Sequence, residues 1–210
     1  LKRDKTHFIA SDSNTQEQKS NLRIISGDLR GKKLHPIRGA LTRPTADRLR
    51  ESIFNILFSQ VRDAVVLDLF AGTGALGIEA LSRGAEYAVF VEKQKDALSV
   101  IEQNLRSCRL ENSAKIIRWD IANNLNCLNS PDSRLFNLVF MDPPYNRNLI
   151  CETLRHLHRS GCLEKGATVV AEHSPPEMIP ENIAEFMMTD QRKYGKTRVS
   201  FLEYVTEIEN

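Results

Sequence analysis

What the chain lacks narrows it first. No apolar run approaches the roughly 20 residues needed to cross a bilayer, and the first residues have no apolar centre of the kind a secretion signal carries. A soluble, cytoplasmic protein with no membrane partner is expected. The four cysteines, Cys108, Cys127, Cys151 and Cys162, show no CxxC spacing, and the five histidines do not gather near them. Reduced thiols and no metal site are the expectation. No internal repeat or low-complexity block interrupts the chain. What remains is 210 residues, 41% hydrophobic and 27% charged, enough for one well-buried α/β domain with a small appendage and expected as a monomer.

Acidic residues are scarce in one place. From Lys19 to Arg50 nine Lys or Arg stand against only Asp28 and Asp47, so this stretch carries +7 in a chain whose total is +2. So concentrated a block suits a polyanionic partner; the alternative is a solvated face with no partner. Residues 1–21 are polar and nonperiodic and read as a disordered tail. Residues 22–26 and 32–37 read as two short strands around the turn Gly27-Asp28-Leu29-Arg30-Gly31, a basic hairpin. Thr45 reads as the N-cap of a helix with Leu49, Ile53, Ile56 and Leu57 at helical spacing. Beyond it, strands over 65–70, 87–91, 114–119, 135–141 and 167–172 alternate with helices over 75–83, 94–108 and 148–160. Two last strands, 186–189 and 199–204, turn at Gly195. This order implies a mostly parallel, doubly wound sheet with an antiparallel edge.

Two stretches carry the chemistry. Val65 to Gly77 reads VVLDLFAGTGALG, a buried strand breaking into Gly72, Gly74 and Gly77 before a helix. Glycines let the backbone approach a ligand, and the helix start offers unpaired N–H groups. Gly72 to Gly77 fits GxGxxG, and Glu92 ends the next strand, so a dinucleotide dehydrogenase is one reading. Asp68 argues against it: a carboxylate there repels a pyrophosphate but suits a cation. S-adenosylmethionine (SAM) carries an ammonium and a sulfonium and no phosphate. The second stretch, Asp142-Pro143-Pro144-Tyr145, follows the fourth strand at the sheet edge where open α/β folds bind ligands. Its two prolines stiffen the turn. An exocyclic amine of a nucleobase is a poor nucleophile because its lone pair is conjugated into the ring. Asp142 and the Pro143 carbonyl can accept its two N–H bonds and turn the lone pair towards a methyl donor, while Tyr145 stacks the base. The base must then be single-stranded, in a loop, or flipped out.

These residues resemble a known family. Arg23-Ile24-Ile25-Ser26-Gly27, Arg30-Gly31-Lys32-Lys33-Leu34, Thr42-Arg43-Pro44-Thr45-Ala46-Asp47-Arg48-Leu49-Arg50-Glu51, the segment 68–80 and Asp142-Pro143-Pro144-Tyr145 are similar to the RsmD-type bacterial small-subunit rRNA guanine-N2 methyltransferases. The similarity runs over residues 22–204, with RPTxDRxRE its most specific motif. It implies a seven-stranded class I methyltransferase sheet over residues 45–205, a small N-terminal hairpin with its loop over 22–44, SAM as donor with S-adenosylhomocysteine (SAH) as product, and small-subunit 16S rRNA or an assembling small subunit as partner. Asp68, Phe70, Ala71, Gly72, Thr73 and Gly74 would wrap the methionine part of SAM, with Gly77 behind them. Glu92 would take the ribose hydroxyls, with Lys93 beside it; Asp120 would reach the adenine amine, with Ile121 against the ring. Asp142, Pro143, Pro144 and Tyr145 would be the catalytic turn. Arg23, Arg30, Lys32, Lys33, Arg43, Arg48 and Arg50 would hold RNA, and for Arg43, Arg48 and Arg50 bracing of the site, including an Arg to Glu pair on one helix, stays open. The rivals are an adenine-N6 nucleic-acid or a protein-glutamine methyltransferase, a noncatalytic RNA-binding or ribosome assembly factor, and a nucleotide-dependent oxidoreductase.

Overall fold

The computed structural model describes residues 22–37, 44–129, 134–145, 147–183 and 185–205. The predicted tail, 1–21, and Arg43 lie outside them. The elements are α1 (Pro44–Ile56), β1 (Val65–Leu69), α2 (Ala75–Ser82), β2 (Tyr87–Glu92), α3 (Lys95–Cys108), β3 (Ala114–Arg118), β4 (Phe136–Met141), α4 (Leu149–Ser160), β5 (Leu163–His173), β6 (Asn182–Ile183), β7 (Phe186–Tyr194) and β8 (Thr197–Tyr204). Their order across the sheet is β3-β2-β1-β4-β5-β8-β7-β6. The first five run parallel, and β8 and β7 pair antiparallel beyond β5. The seven expected strands are present, and the two-residue β6 adds an eighth at the edge. Strand order reverses between β1 and β4, and at such a switch point the connections leave to opposite faces and open a crevice. Phe70 and Asp142 stand directly after the two strands that flank it.

Alternation along the central strands divides the core. Val66, Phe90, Leu138, Phe140 and Val170 face one layer, packed with α1 and α2 through Ile53, Phe54, Leu57 and Ile78 and with α3 through Ile101 and Leu105. Leu67, Leu69, Val91, Val139 and Met141 face the other, packed on Ile150, Leu154 and Leu157 of α4. The side-chain period of two therefore sends Asp68 to the α2 layer.

Several elements differ from the sequence expectation. The N-terminal hairpin is reduced to one antiparallel bridge, Arg23 to Lys33, and its Leu22, Ile24 and Leu34 are buried in the α1–α2–α3 layer. Helix α1 starts at Pro44, whose fixed φ suits a first helical position, so Thr45 lies inside the helix and is not its cap. β5 starts at Leu163 because Glu164, Lys165 and Gly166 form an exposed irregular stretch between two paired segments. β7 runs on to Tyr194 through Asp190-Gln191-Arg192-Lys193, residues that read as loop in sequence but lie along the sheet's exposed edge. The connection after β3 buries Leu125 and Leu128 around a short 3-10 turn.

Candidate active site

The glycine loop leaves β1 through three residues with positive φ, Phe70 (59°), Gly72 (54°) and Gly74 (75°). A Cβ on Gly72 would find nothing closer than 3.9 Å, so this part of the loop faces open space. Gly77 serves another purpose. A Cβ there would lie 2.4 Å from the Phe90 ring, so only glycine lets α2 settle on the sheet. That approach brings the Gly77 N–H to 2.9 Å from Asp68 Oδ2. Asp68 is 2% exposed and braces the loop from beneath; it does not line the cavity, which corrects the expectation of direct contact with a cationic ligand. Its strand is buried on both faces, leaving the carboxylate only the α2 layer to enter. Burial lifts its pKa to about 7, the Gly77 bond opposing the rise and Glu92 adding to it.

In front of the loop lies a cavity of about 390 Å³, lined by Phe70, Glu92, Lys93, Gln94, Trp119, Asp120, Ile121, the turn Asp142-Pro143-Pro144-Tyr145, and Glu172. Its size is within the range of small-molecule sites. The structure thus brings together the strand-end acids of β2 and β3 and the turn after β4. Ala71, Thr73 and Gly74 stand behind this wall, and Gly72 joins it through its N–H, 3.1 Å from Glu92 Oε2. Glu92 Oε1 accepts from the N–H groups of Lys93 (2.8 Å) and Gln94 (2.9 Å), which fixes the carboxylate. Lys93 Nζ lies 3.6 Å from Asp120 Oδ1, and Asp120 also accepts the Ala122 N–H at 3.3 Å. Ile121 is buried. Trp119, which the sequence did not single out, is fixed by its indole N–H on the Asn124 carbonyl, 2.9 Å.

The far wall is acidic. Tyr145 donates its hydroxyl to Glu172 Oε1 at 2.7 Å, and Thr197 Oγ1 stands 3.1 Å from the Tyr145 hydroxyl oxygen. Both partners escaped sequence reading, Glu172 as one more strand-end acid on β5 and Thr197 as a residue of the edge strand. Tyr145 is 38% exposed, and partial loss of solvent raises its phenol well above the usual value. Desolvation also raises Glu172, partly offset by the Tyr145 bond. Asp142 is exposed towards the cavity; loss of solvent around its carboxyl group, then repulsion from Glu172 and Asp68, pushes its pKa well up. Among the described residues the one cation in the wall, Lys93, is engaged by Asp120. A cavity of this kind favours a positively charged ligand, which relieves the mutual repulsion of its carboxylates.

The basic residues fall into two kinds. Arg30, Lys32, Lys33 and Arg48 are exposed, and Arg23, 63% exposed, lies 3.7 Å from Asp47. Arg50 is different, and its assignment to RNA is corrected. It is 5% exposed, donates to Asp47 Oδ1 (3.0 Å) and to the Arg23 carbonyl (2.5 Å), and lies 3.6 Å from Glu79 Oε2. Burial lowers its pKa, and Glu79 and Asp47 act to restore it. The open alternative of an Arg to Glu pair is realised with Glu79 on α2, not within one helix. Glu79, fully buried, also accepts the N–H groups of Ile25 (2.8 Å) and Ser26 (2.9 Å) and the Arg83 guanidinium (2.8 Å). Ser82 accepts from Leu29 and donates to the Ser26 carbonyl. Asn104 of α3 binds both backbone groups of His35 and the Thr73 carbonyl of the glycine loop. The N-terminal segment is therefore part of the same body as the cofactor-side loop.

Comparison with known proteins agrees with this architecture. The family profile described as "Conserved hypothetical protein 95" matches residues 22–203. The chain belongs to that family, the RsmD-type methyltransferases. Ribosomal RNA small subunit methyltransferase D of Escherichia coli is 35% identical over 175 residues, covering 83% of this chain and 86% of that one. The Bacillus subtilis protein YlbH, provisionally named an rRNA methyltransferase, is 36% identical over 179 residues, 85% of this chain and 97% of its own. The solved Escherichia coli chain yhhF, provisionally named a methyltransferase, superimposes with a TM-score of 0.77 at 33% identity, covering 89% of this chain and 99% of that one. The family's sheet is the class I methyltransferase sheet found here.

Proposed function

We propose that this RsmD-type protein transfers a methyl group from SAM to the exocyclic N2 amine of a guanine in small-subunit rRNA, guanine 966 by family resemblance. The observation that carries the reading is the rigid Asp142-Pro143-Pro144-Tyr145 turn facing, across one cavity, the carboxylates of Glu92 and Asp120. The residues present fit SAM. Three backbone N–H groups preset Glu92 to accept hydroxyls, Asp120 stands at the next strand end, and the acidic far wall suits a ligand with two positive centres. When bound, SAM supplies an electrophilic methyl on sulfonium.

The chain's own residues do the rest. Asp142 and the Pro143 carbonyl accept the two amine N–H bonds, which turns the nitrogen lone pair out of conjugation with the ring. Tyr145 stacks the base, and its ring is kept from swinging by Glu172 and Thr197. The amine sheds its proton late, when methylation has made it acidic, and Asp142, whose proton affinity burial has raised, is placed to take it. The exposed cations Arg30, Lys32, Lys33 and Arg48 hold phosphates around the target base. The test is incubation of the protein with labelled SAM and unmodified small subunits or their rRNA, followed by nucleoside mass spectrometry. N2-methylguanosine is expected; N6-methyladenosine would move the substrate to the other base, and no transfer to any rRNA would overturn catalysis.

A further inference from the structure

The tip of the β7–β8 pair holds a concentration of positive charge that the catalytic cavity does not use. From Gln191 to Arg198 there are four cations, Arg192, Lys193, Lys196 and Arg198, and no acid. Arg192 is neutralised by Asp190 at 2.8 Å. Among the described residues no carboxylate pairs with Lys193, Lys196 or Arg198, and Glu177, which like Arg198 influences His173, is engaged by the Ser174 hydroxyl at 3.0 Å. Lys193 and Arg198 are moreover direct cross-strand partners. Like charges in that relation oppose strand pairing, and an anion lying over both removes the repulsion.

The place of this tip matters as much as its charge. β8 runs antiparallel to β5 and pairs Arg198 with His173 and Val199 with Glu172, so the turn emerges at the sheet edge where the cavity opens. Thr197 lies between Lys196 and Arg198 in sequence, its side chain on the opposite face of β8 from that of Arg198, and approaches the Tyr145 hydroxyl at 3.1 Å. On the other side of the turn the Tyr194 hydroxyl meets Ser52 Oγ of α1 at 2.7 Å. Exposed Arg48 lies one turn earlier on that helix, on the same face. The N-terminal segment is anchored on α2 and α3, beside β1, β2 and β3, whereas this turn lies beyond β5. Tyr145, following the central β4, stands between two cationic elements.

We propose that the β7–β8 turn is a second RNA grip, in which Lys193, Lys196 and Arg198 take backbone phosphates of the single-stranded nucleotides adjoining the base held at Tyr145. The inference rests on the functional reading above and extends it. A base drawn out of its stack leaves two strand ends to be held. The N-terminal cations serve one, and this turn serves the other.

The test replaces all three cations, K193Q/K196Q/R198Q, and measures binding to unmodified small-subunit rRNA as a function of salt, with SAH binding and thermal melting as controls of folding. Loss of three phosphate contacts makes the slope of log affinity against log salt shallower by roughly 2, with SAH affinity unchanged. The charge-preserving K193R/K196R/R198K variant keeps the wild-type slope. An unchanged slope in the glutamine variant, while the wild type methylates rRNA, overturns the second grip and leaves the functional reading intact. Full binding to naked rRNA combined with weakened binding to assembled subunits also overturns it, in favour of a protein contact. A wild type that neither binds nor methylates rRNA removes both readings together.

Discussion

Glu79 and Asp142 are both carboxylates set against the same sheet, one beneath the N-terminal segment and the other at the end of β4, and their surroundings are opposite in kind. Glu79 is fully buried yet meets two backbone N–H groups and two guanidinium groups. Asp142 faces a cavity, no donor among the described residues reaches its carboxylate, and the charges that act on it are those of the acids Glu172 and Asp68. The first arrangement is complete without a ligand. On the proposed reading the second is completed by one, because a cation and a pair of amine N–H groups would supply what the folded chain withholds. Saturated acids thus mark what holds this fold together, and unsaturated ones mark where it works.

The contrast can be broken most forcefully at Glu79. Glu79→Ala leaves the Arg50 guanidinium buried beside a hole and frees two N–H groups, so a loss of about 3–5 kcal/mol is expected from urea denaturation, the usual cost of removing one partner of a buried pair. A loss below about 1 kcal/mol would mean that Glu79 is not the anchor. Asp142→Ala should act on the other axis. Methyl transfer in single-turnover assays is expected to fall about 10²–10³-fold, the scale for losing one preorganised polar contact in a transition state. Stability should hold or rise, and SAH binding in calorimetry should persist. An equal loss of SAH affinity would place Asp142 in cofactor binding instead.

Titration sharpens the same contrast. Asp68 ionises near 3.8 when unfolded and about 7 when folded, so the folded state holds the proton more tightly and protonation favours folding. Stability contributed at this site is fully present below about 3.8 and is lost as pH rises from there to and through about 7. SAH-free protein should therefore resist urea better near pH 5.5 than near pH 8. Buried His173, whose pKa is lowered, works in the opposite sense, so the decisive quantity is the difference between wild type and Asp68→Asn, which keeps an acceptor for Gly77 but does not titrate. Parallel pH profiles for the two proteins would contradict the assignment. The smallest effect is expected from Tyr145→Phe. The ring remains but its bonds to Glu172 and Thr197 go, a change of about 1 kcal/mol, read as a several-fold rise in KM for rRNA with SAH affinity unchanged.

Sequence reading reached one side of this comparison better than the other. The β1–glycine–α2 unit and the Asp142 turn were legible because their signals are local: an apolar run, glycines at fixed spacing, two prolines in succession. The strand-end acids Glu92 and Asp120 were found the same way. Glu79 lies in the motif segment 68–80 with no role visible in sequence, since a glutamate four residues before Arg83 looks like an ordinary surface pair on a helix. Arg50 was read as part of a charge run because its partner Glu79 comes 29 residues later and only the packing of α1 on α2 brings the two together. Glu172 and Thr197 were missed for the same reason, their link to Tyr145 spanning three strands. Asp68 was recognised as important but given a direct contact, because strand periodicity shows which layer a side chain enters and not whether a helix covers it.

Among the described residues, the hydrogen bonds that fasten residues 25–35 to α2 and α3 are made through their main chain: Ile25 and Ser26 to Glu79, Leu29 to Ser82, His35 to Asn104. An anchor that grasps peptide groups is indifferent to the side chains they carry. Arg30, Lys32 and Lys33 are thereby released from any duty to the fold and can be exchanged one by one, so, on the proposed reading, this segment can adapt to a changed RNA surface over evolutionary time, or under a protein engineer's hand, while the body it is fastened to stays the same.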